Sequence, residues 1–150
     1  MSRLDPAELG ARLAAILATA ERMIRAVPEA PMSEAVSEGP GTLRDAAFRL
    51  FRLGLAFADG MDRGRFPTEW LRETAPDDLR DGAALARYGA LVRGRLTGWF
   101  EGAAPGEFAR TIAGHDGPQT GYDLLARVAD EADRALRALG RALERIGRAT

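Results

Sequence analysis

The chain has 150 residues, 46% hydrophobic and 29% charged, ordinary values for one globular domain (residues 1–150) able to bury about 68–70% of its unfolded surface without staples. A net charge of -1 offers no field to gather nucleic acid or an acidic membrane, and neither is an expected partner. With no cysteine, no lysine and a single histidine, thiolate and Schiff-base catalysis are excluded, and a histidine-supported serine could draw only on Ser2, Ser33 or Ser37.

No run of eighteen uncharged apolar residues occurs, and Asp5 and Glu8 stand where a signal peptide would be basic and then apolar. A cytoplasmic location is the expectation. The first helix starts at Asp5-Pro6-Ala7-Glu8, which supplies an N-cap acceptor, a proline at the first helical position and a glutamate to close a capping box. Leu9, Leu13, Ile16, Leu17, Ala20, Ile24 and Val27 continue at helical spacing, so the helix is predicted over Pro6 to Val27, where Pro28 and Pro31 stop it. Pro28 to Gly41 reads as loop.

Thr42 and Asp45 form a second capping box, and a wide apolar arc from Leu43 to Met61 predicts a central helix over Leu43 to Asp62. Asp45, Arg49, Arg52 and Asp59 share its polar side. The connection from Arg63 to Asp81 contains a turn that Thr68 could cap, carrying Trp70 inward. A third helix is predicted over Asp81 to Glu101, burying Leu85, Tyr88, Leu91, Val92, Leu96 and Trp99. Gly89, Gly94 and Gly98 weaken it by about 1 kcal/mol each unless close packing requires them.

A second long connection, Gly102 to Gln119, has room for a short extended or helical piece at Glu107 to Ile112. Thr120 and Asp123 then open a fourth helix, predicted over Gly121 to Ile146 from a narrow apolar stripe. With no convincing strand, the pattern is all-α. Four long helices with long connections after the second and third imply a four-helix bundle with crossover geometry.

Three stretches together carry a family likeness: Leu43-Arg44-Asp45-Ala46-Ala47-Phe48-Arg49-Leu50-Phe51-Arg52, Arg87-Tyr88-Gly89-Ala90-Leu91-Val92-Arg93, and Gly117-Pro118-Gln119-Thr120-Gly121-Tyr122 running into the last helix. In pattern and helix order the chain resembles the DinB family of four-helix bundles, which includes thiol-dependent S-transferases and mycothiol-dependent isomerases. That family typically binds a divalent metal through one histidine on the second helix and an H-x-x-x-H pair on the last. The corresponding positions here are Arg49, Glu131 and Ala135.

Arginine stays protonated and alanine has no donor atom, so the resemblance implies a bundle without the metal cofactor, non-catalytic and ligand-binding or structural, and homodimeric by analogy. Asp45, Arg52, Arg127, His115 and Tyr122 are the candidates to line its cleft, with a small carboxylate- or thiol-bearing molecule as ligand. Arg49 and Glu131 both sit where the charged and apolar arcs of their helices meet, so they either pair across the cleft or stand as separate surface residues. Two other readings stay open: a thiol-dependent transferase or isomerase that uses Arg49 and its neighbours to orient a thiol or recruits metal through Glu131, Asp130 and His115, and a protein-protein adaptor.

Four further features have ordinary explanations beside functional ones. His115-Asp116 could be a base held by a carboxylate or simply part of an Asp-Gly-Pro turn. The glycines before Thr42 and before Tyr122 could cradle an anion or only admit a helix. Arg44, Arg49 and Arg52, with Arg127 and Arg134, could grip a carboxylate or pair within their helices, as Arg49, Arg127 and Arg134 can with Asp45, Asp123 and Asp130, each four residues earlier. Trp70, Trp99 and Phe100 could form a binding platform, but fit a core or a dimer seam better.

Overall fold

Each long helix begins where a short polar side chain can hold its free N–H groups. The computed structural model describes residues 4–37 and 39–149, without the side chains of 148 and 149, so Ser2 lies outside the described residues. Helix α1 (Pro6–Ile24) opens on Asp5, whose carboxylate accepts from the Glu8 N–H at 2.8 Å. Helix α3 (Leu43–Arg63) opens on the expected reciprocal Thr42–Asp45 box and closes on Gly64 at a φ of 76°, a left-handed conformation that glycine adopts without strain. Helix α4 (Gly82–Gly102) is capped by Asp81, which accepts from Ala84 N–H at 2.9 Å. In helix α5 (Gly121–Ala149), Asp123 N–H donates to Thr120 Oγ1 at 3.1 Å.

The protein is an all-α helical bundle. Helix α1 packs along α4 and α5, and α3 packs along the same two, so α1 lies diagonally opposite α3, and α4 opposite α5. One core runs through all four, with Leu13, Leu17, Leu50, Phe51, Phe57, Leu96 and Leu124 essentially sealed from water. The diagonal crossings therefore follow the first and third long helices. The long connection after the second joins neighbours, unlike the expectation drawn from loop length. Instead of crossing the bundle, that connection is held against α3.

Four local expectations are corrected. Helix α1 stops at Ile24 rather than Val27, because the Val27 carbonyl accepts from Gly82 N–H at 2.8 Å and the chain must turn to meet the start of α4. The loop after it contains a one-turn helix, α2 (Glu29–Met32), which tolerates Pro31 because first-turn N–H groups have no intrahelical partner, and which buries Met32. Residues Thr68–Arg72 form a 3₁₀ turn without a side-chain cap from Thr68. Last, Leu91 is 75% exposed, not buried, since α4 turns it away from α1 and α3.

A short hairpin forms where the sequence suggested at most one extended or helical piece at Glu107 to Ile112. After a 3₁₀ turn at Pro105–Ala109, β1 (Thr111–Ala113) pairs antiparallel with β2 (Pro118–Thr120), and Gly114 N–H donates to Gly117 O at 2.8 Å to close the turn. Three-residue strands are too short to show alternation, and Pro118 argued against one, although proline is tolerated at a strand start. This hairpin brings His115 and Asp116 to α5.

Candidate functional site

Helix α3 presents Leu50 and Leu53, and α5 presents Ala138, Leu139 and Ala142, to a cleft of about 300 Å³ between them. Small side chains on α5 recur at Ala135, Ala138 and Ala142, three and then four residues apart, and leave a channel along one helix face. Val36 and Pro40 from the loop before α3, with Leu71 from the connection after it, close the rim. A volume at the lower end of the usual ligand range admits a small molecule rather than a bulky coenzyme.

Arg49, Glu131 and Ala135 all line this cleft. Arg49 and Glu131 nevertheless form no ion pair, which corrects the cross-cleft pairing considered above. The Arg49 guanidinium donates to the Pro40 carbonyl at 2.8 Å and has no carboxylate partner among the described residues. Glu131 is held within α5, its Oε1 accepting from Arg127 Nε at 3.1 Å. Intrahelical geometry won because Arg127 sits one turn away at the favoured spacing.

Around Glu131 the hairpin completes a polar network. His115 Nδ1 lies 3.6 Å from Glu131 Oε1, while Arg127 reaches Asp116 Oδ2 at 2.6 Å. The bond to Asp116 and the second one to Glu131 push the Arg127 guanidinium above its usual range, and Arg127 in turn holds the Asp116 carboxyl below the usual carboxylate range. The carboxylate beside His115 is therefore Glu131 from the helix, not its chain neighbour Asp116. His115 also donates its backbone N–H to Gln119 Oε1 at 3.1 Å and packs its ring against Phe66. The imidazole sits between Phe66 and Glu131 and does not line the cleft.

The other candidates for the cleft lie elsewhere. Tyr122 donates its hydroxyl to the Leu4 carbonyl at the start of the chain. Arg52 bonds Glu73 at 3.0 Å and lies over the Trp70 ring, 4.1 Å from its centroid. Arg44 donates to the Pro76 and Leu79 carbonyls, and Asp45 Oδ1 accepts from Ala75 N–H at 2.8 Å. Arg44, Asp45 and Arg52 thus strap the connection between α3 and α4, and of the polar residues of α3 only Arg49 reaches the cleft.

Burial of Asp45 favours its neutral form, but hydrogen bonds from Ala75 N–H and from the Thr42 N–H and hydroxyl, helped by Arg44, outweigh burial and hold its carboxyl below the usual range. A carboxyl depressed by folding stabilises the native state above its unfolded value, near 4, and that stabilisation is lost as pH falls through the native value. Acid unfolding followed by circular dichroism should therefore show a loss of stability below about pH 4 that Asp45→Asn reduces. An unchanged pH dependence in the variant would contradict this role.

None of the three predicted arginine pairs at i and i+4 forms. Asp45 is occupied as above, Arg127 bonds Asp116 and Glu131, and Asp130 faces Arg12 of α1 at 3.8 Å. Asp130 therefore turns away from Glu131 and His115, and the metal-recruiting trio does not assemble. Among the described residues no group of three or more His, Asp or Glu side chains is arranged to hold a metal ion. Arg49, a salt-bridged Glu131 and Ala135 do not fit a divalent metal at the family positions.

The helix starts at the two glycine-rich entries are capped by the protein's own side chains, Thr42 with Asp45 and Thr120. Asp45's own carboxylate occupies the start of α3, and Gly121 N–H donates to the Arg110 carbonyl at 3.0 Å. Trp99 and Phe100 join Phe57 and Phe108 in a cluster with centroids 5.1 to 5.9 Å apart, an aromatic seam under the 3₁₀ turn and not a platform.

Sequence reasoning missed two residues. Arg145 lines the cleft one turn beyond Ala142 and has no hydrogen-bond or ion-pair partner among the described residues. The spacing of Ala135, Ala138, Ala142 and Arg145 would have shown it. Glu21 is the other: buried, it pairs bidentately with Arg93, at 2.7 Å to Nε and 3.1 Å to Nη2. It falls inside the apolar stripe of α1, between Ala20 and Ile24, where a charge requires a partner. No helix is long and apolar enough to cross a membrane among the described residues. Compared with protein-family models and with curated proteins, the chain matches none.

Proposed function

We propose that this protein is a DinB-like bundle without the metal centre, which binds a small apolar-bodied carboxylate in the cleft between α3 and α5 and carries out no chemistry on it. The observation that carries the reading is the charge balance of the cleft. Arg49 and Arg145 lack carboxylate partners among the described residues, whereas the cleft's acidic residue, Glu131, is already compensated by Arg127. An apolar wall with uncompensated guanidinium groups suits an anionic head on a hydrophobic tail, because arginine offers paired donors that match a carboxylate.

The family likeness is supported by convergence. Position 49 on α3 and the one-turn pair at 131 and 135 on α5, where the DinB pattern would carry histidines, share one cleft. The non-catalytic reading rests on the cleft's one proton-transfer group, Glu131, being held by Arg127.

Calorimetric titration with decanoate, decanol and decylamine tests the reading. Decanoate should bind at least about tenfold more tightly than decanol, and decylamine should not bind. Arg49→Ala and Arg145→Ala should each weaken decanoate about tenfold, the value of one charge-assisted hydrogen bond. Equal affinity for the acid and the alcohol, or stoichiometric zinc, nickel or manganese in the purified protein that Glu131→Ala removes, would overturn it.

A further inference from the structure

The outer face of α4 contrasts with the polar faces of its neighbours. At 100° per residue, Arg87, Ala90, Leu91, Gly94, Thr97, Gly98 and Glu101 all fall within about 60° of Gly94, opposite the buried Leu85, Val92 and Leu96. All seven are exposed, Leu91 to 75%. The arginines flanking the face are already committed, Arg93 to Glu21 and Arg95 to Asp62. Arg87 and Glu101, on the face itself, have no hydrogen-bond or ion-pair partner among the described residues.

We infer that this face is where two copies of the chain associate, α4 against α4 in antiparallel orientation about a two-fold axis near Gly94. The argument is charge self-complementarity. Arg87 lies seven residues before Gly94 and Glu101 seven after, about 10 Å to either side along the helix. An antiparallel pair therefore sets each Arg87 opposite the other copy's Glu101, twice, in the isologous manner of a two-fold dimer. Parallel packing would set like charges against each other.

The same operation sets Leu91 against Thr97 and Ala90 against Gly98 of the second copy, covering the exposed leucine. Gly94 lies at the axis, and a Cβ built there meets nothing within 4 Å, so two backbones have room to approach. Gly89, on the buried side, is explained within the chain, since a Cβ there would stand 2.5 Å from the Phe51 ring. Gly94 and Gly98 have no such neighbour inside the protein, although each weakens the helix by about 1 kcal/mol.

This inference uses no residue of the α3–α5 cleft and stands or falls apart from the proposed ligand. One helix pair is smaller than the standard interface of about 800 Å² per partner, so the dimer should dissociate in the micromolar range. Sedimentation velocity of the full chain at low salt across that range should show a monomer-dimer equilibrium. Leu91→Asp, at an exposed position, should abolish it and leave the thermal midpoint of the monomer unchanged.

Arg87→Glu and Glu101→Arg should each weaken association at least about tenfold, and the double exchange should restore it. A wild-type protein that stays monomeric throughout overturns the inference, as does a dimer that survives Leu91→Asp. Single exchanges that weaken the dimer without recovery in the double variant overturn the antiparallel arrangement.

Discussion

Gly82→Ala is expected to be the most damaging single-methyl substitution in this protein, lowering stability by about 3 kcal/mol and the thermal midpoint by roughly 6–12 °C. A Cβ at this position would lie 1.6 Å from the Ile24 carbonyl oxygen and 2.9 Å from that of Val27. Both are backbone atoms, so no side chain can swing aside, and relief requires moving the start of α4 away from the end of α1. That movement would stretch the bond from Gly82 N–H to Val27 O and disturb the Asp81 cap beside it. Gly106→Ala is the control, because a Cβ there meets nothing within 4 Å. Urea or thermal denaturation of both variants checks the expectation. A Gly82→Ala protein as stable as the control would mean that α1 and α4 do not meet this closely.

The second large effect is expected at the link between Glu21 and Arg93. Arg93→Met leaves a carboxylate whose side chain is 3% exposed without its bidentate partner, and breaking a fully buried pair costs about 3–5 kcal/mol. Arg93 itself is 41% exposed, so water can reach the vacated place, and a loss of about 2–3 kcal/mol is expected. The pair also raises the Arg93 guanidinium above its usual range, chiefly through the hydrogen bond to Glu21. A Glu21→Met, Arg93→Met double variant should regain most of the loss, since two apolar side chains remove the orphaned charge. If the double variant is no more stable than Arg93→Met, the two residues contribute independently and the coupling described here is absent.

Such residues show which parts of the structure could be read in one dimension. The starts of three long helices were legible as caps, because a cap is a local event in which the side chain of Asp5, Thr42 or Thr120 bonds an N–H three residues ahead, whereas α4 was placed by its apolar spacing and its Asp81 cap was not read. The apolar stripes were equally legible, except where the outer and inner faces of α4 were confused. Leu91 has the same chemistry as Leu85 and Leu96, but at 100° per residue it falls about 120–140° away from them, on the face that α1 and α3 leave uncovered. The hairpin was not legible, since three residues per strand carry no period and its pairing depends on Arg110–Ala113 and Pro118–Gly121 meeting across a turn.

The candidate site divides the same way. Arg49, Glu131 and Ala135 were nominated together from a family pattern, and all three line one cleft. Whether Arg49 and Glu131 pair stayed open in the sequence, because a side chain with several neighbours chooses by distances that spacing does not supply. Arg49 takes the Pro40 carbonyl, and Glu131 takes Arg127 one turn back. Asp45 and Arg52 looked like ligand-binding groups on a polar face, but the loop that returns over that face uses them as anchors.

By itself, then, the amino-acid sequence determined an all-α chain: where helices start, which arcs are apolar, and which chemistry is missing for want of cysteine, lysine and more than one histidine. These are properties of composition and of contacts within one turn of helix. Tertiary structure alone decided that α1 lies diagonal to α3, that Glu21 is buried against Arg93, that Arg49 and Glu131 share a cleft without an ion pair, and that the outer face of α4 with Leu91 is left uncovered. Each of those depends on how four helices of similar length and amphipathicity pack around one core, and hydrophobic periodicity places a helix against the core without naming its neighbours.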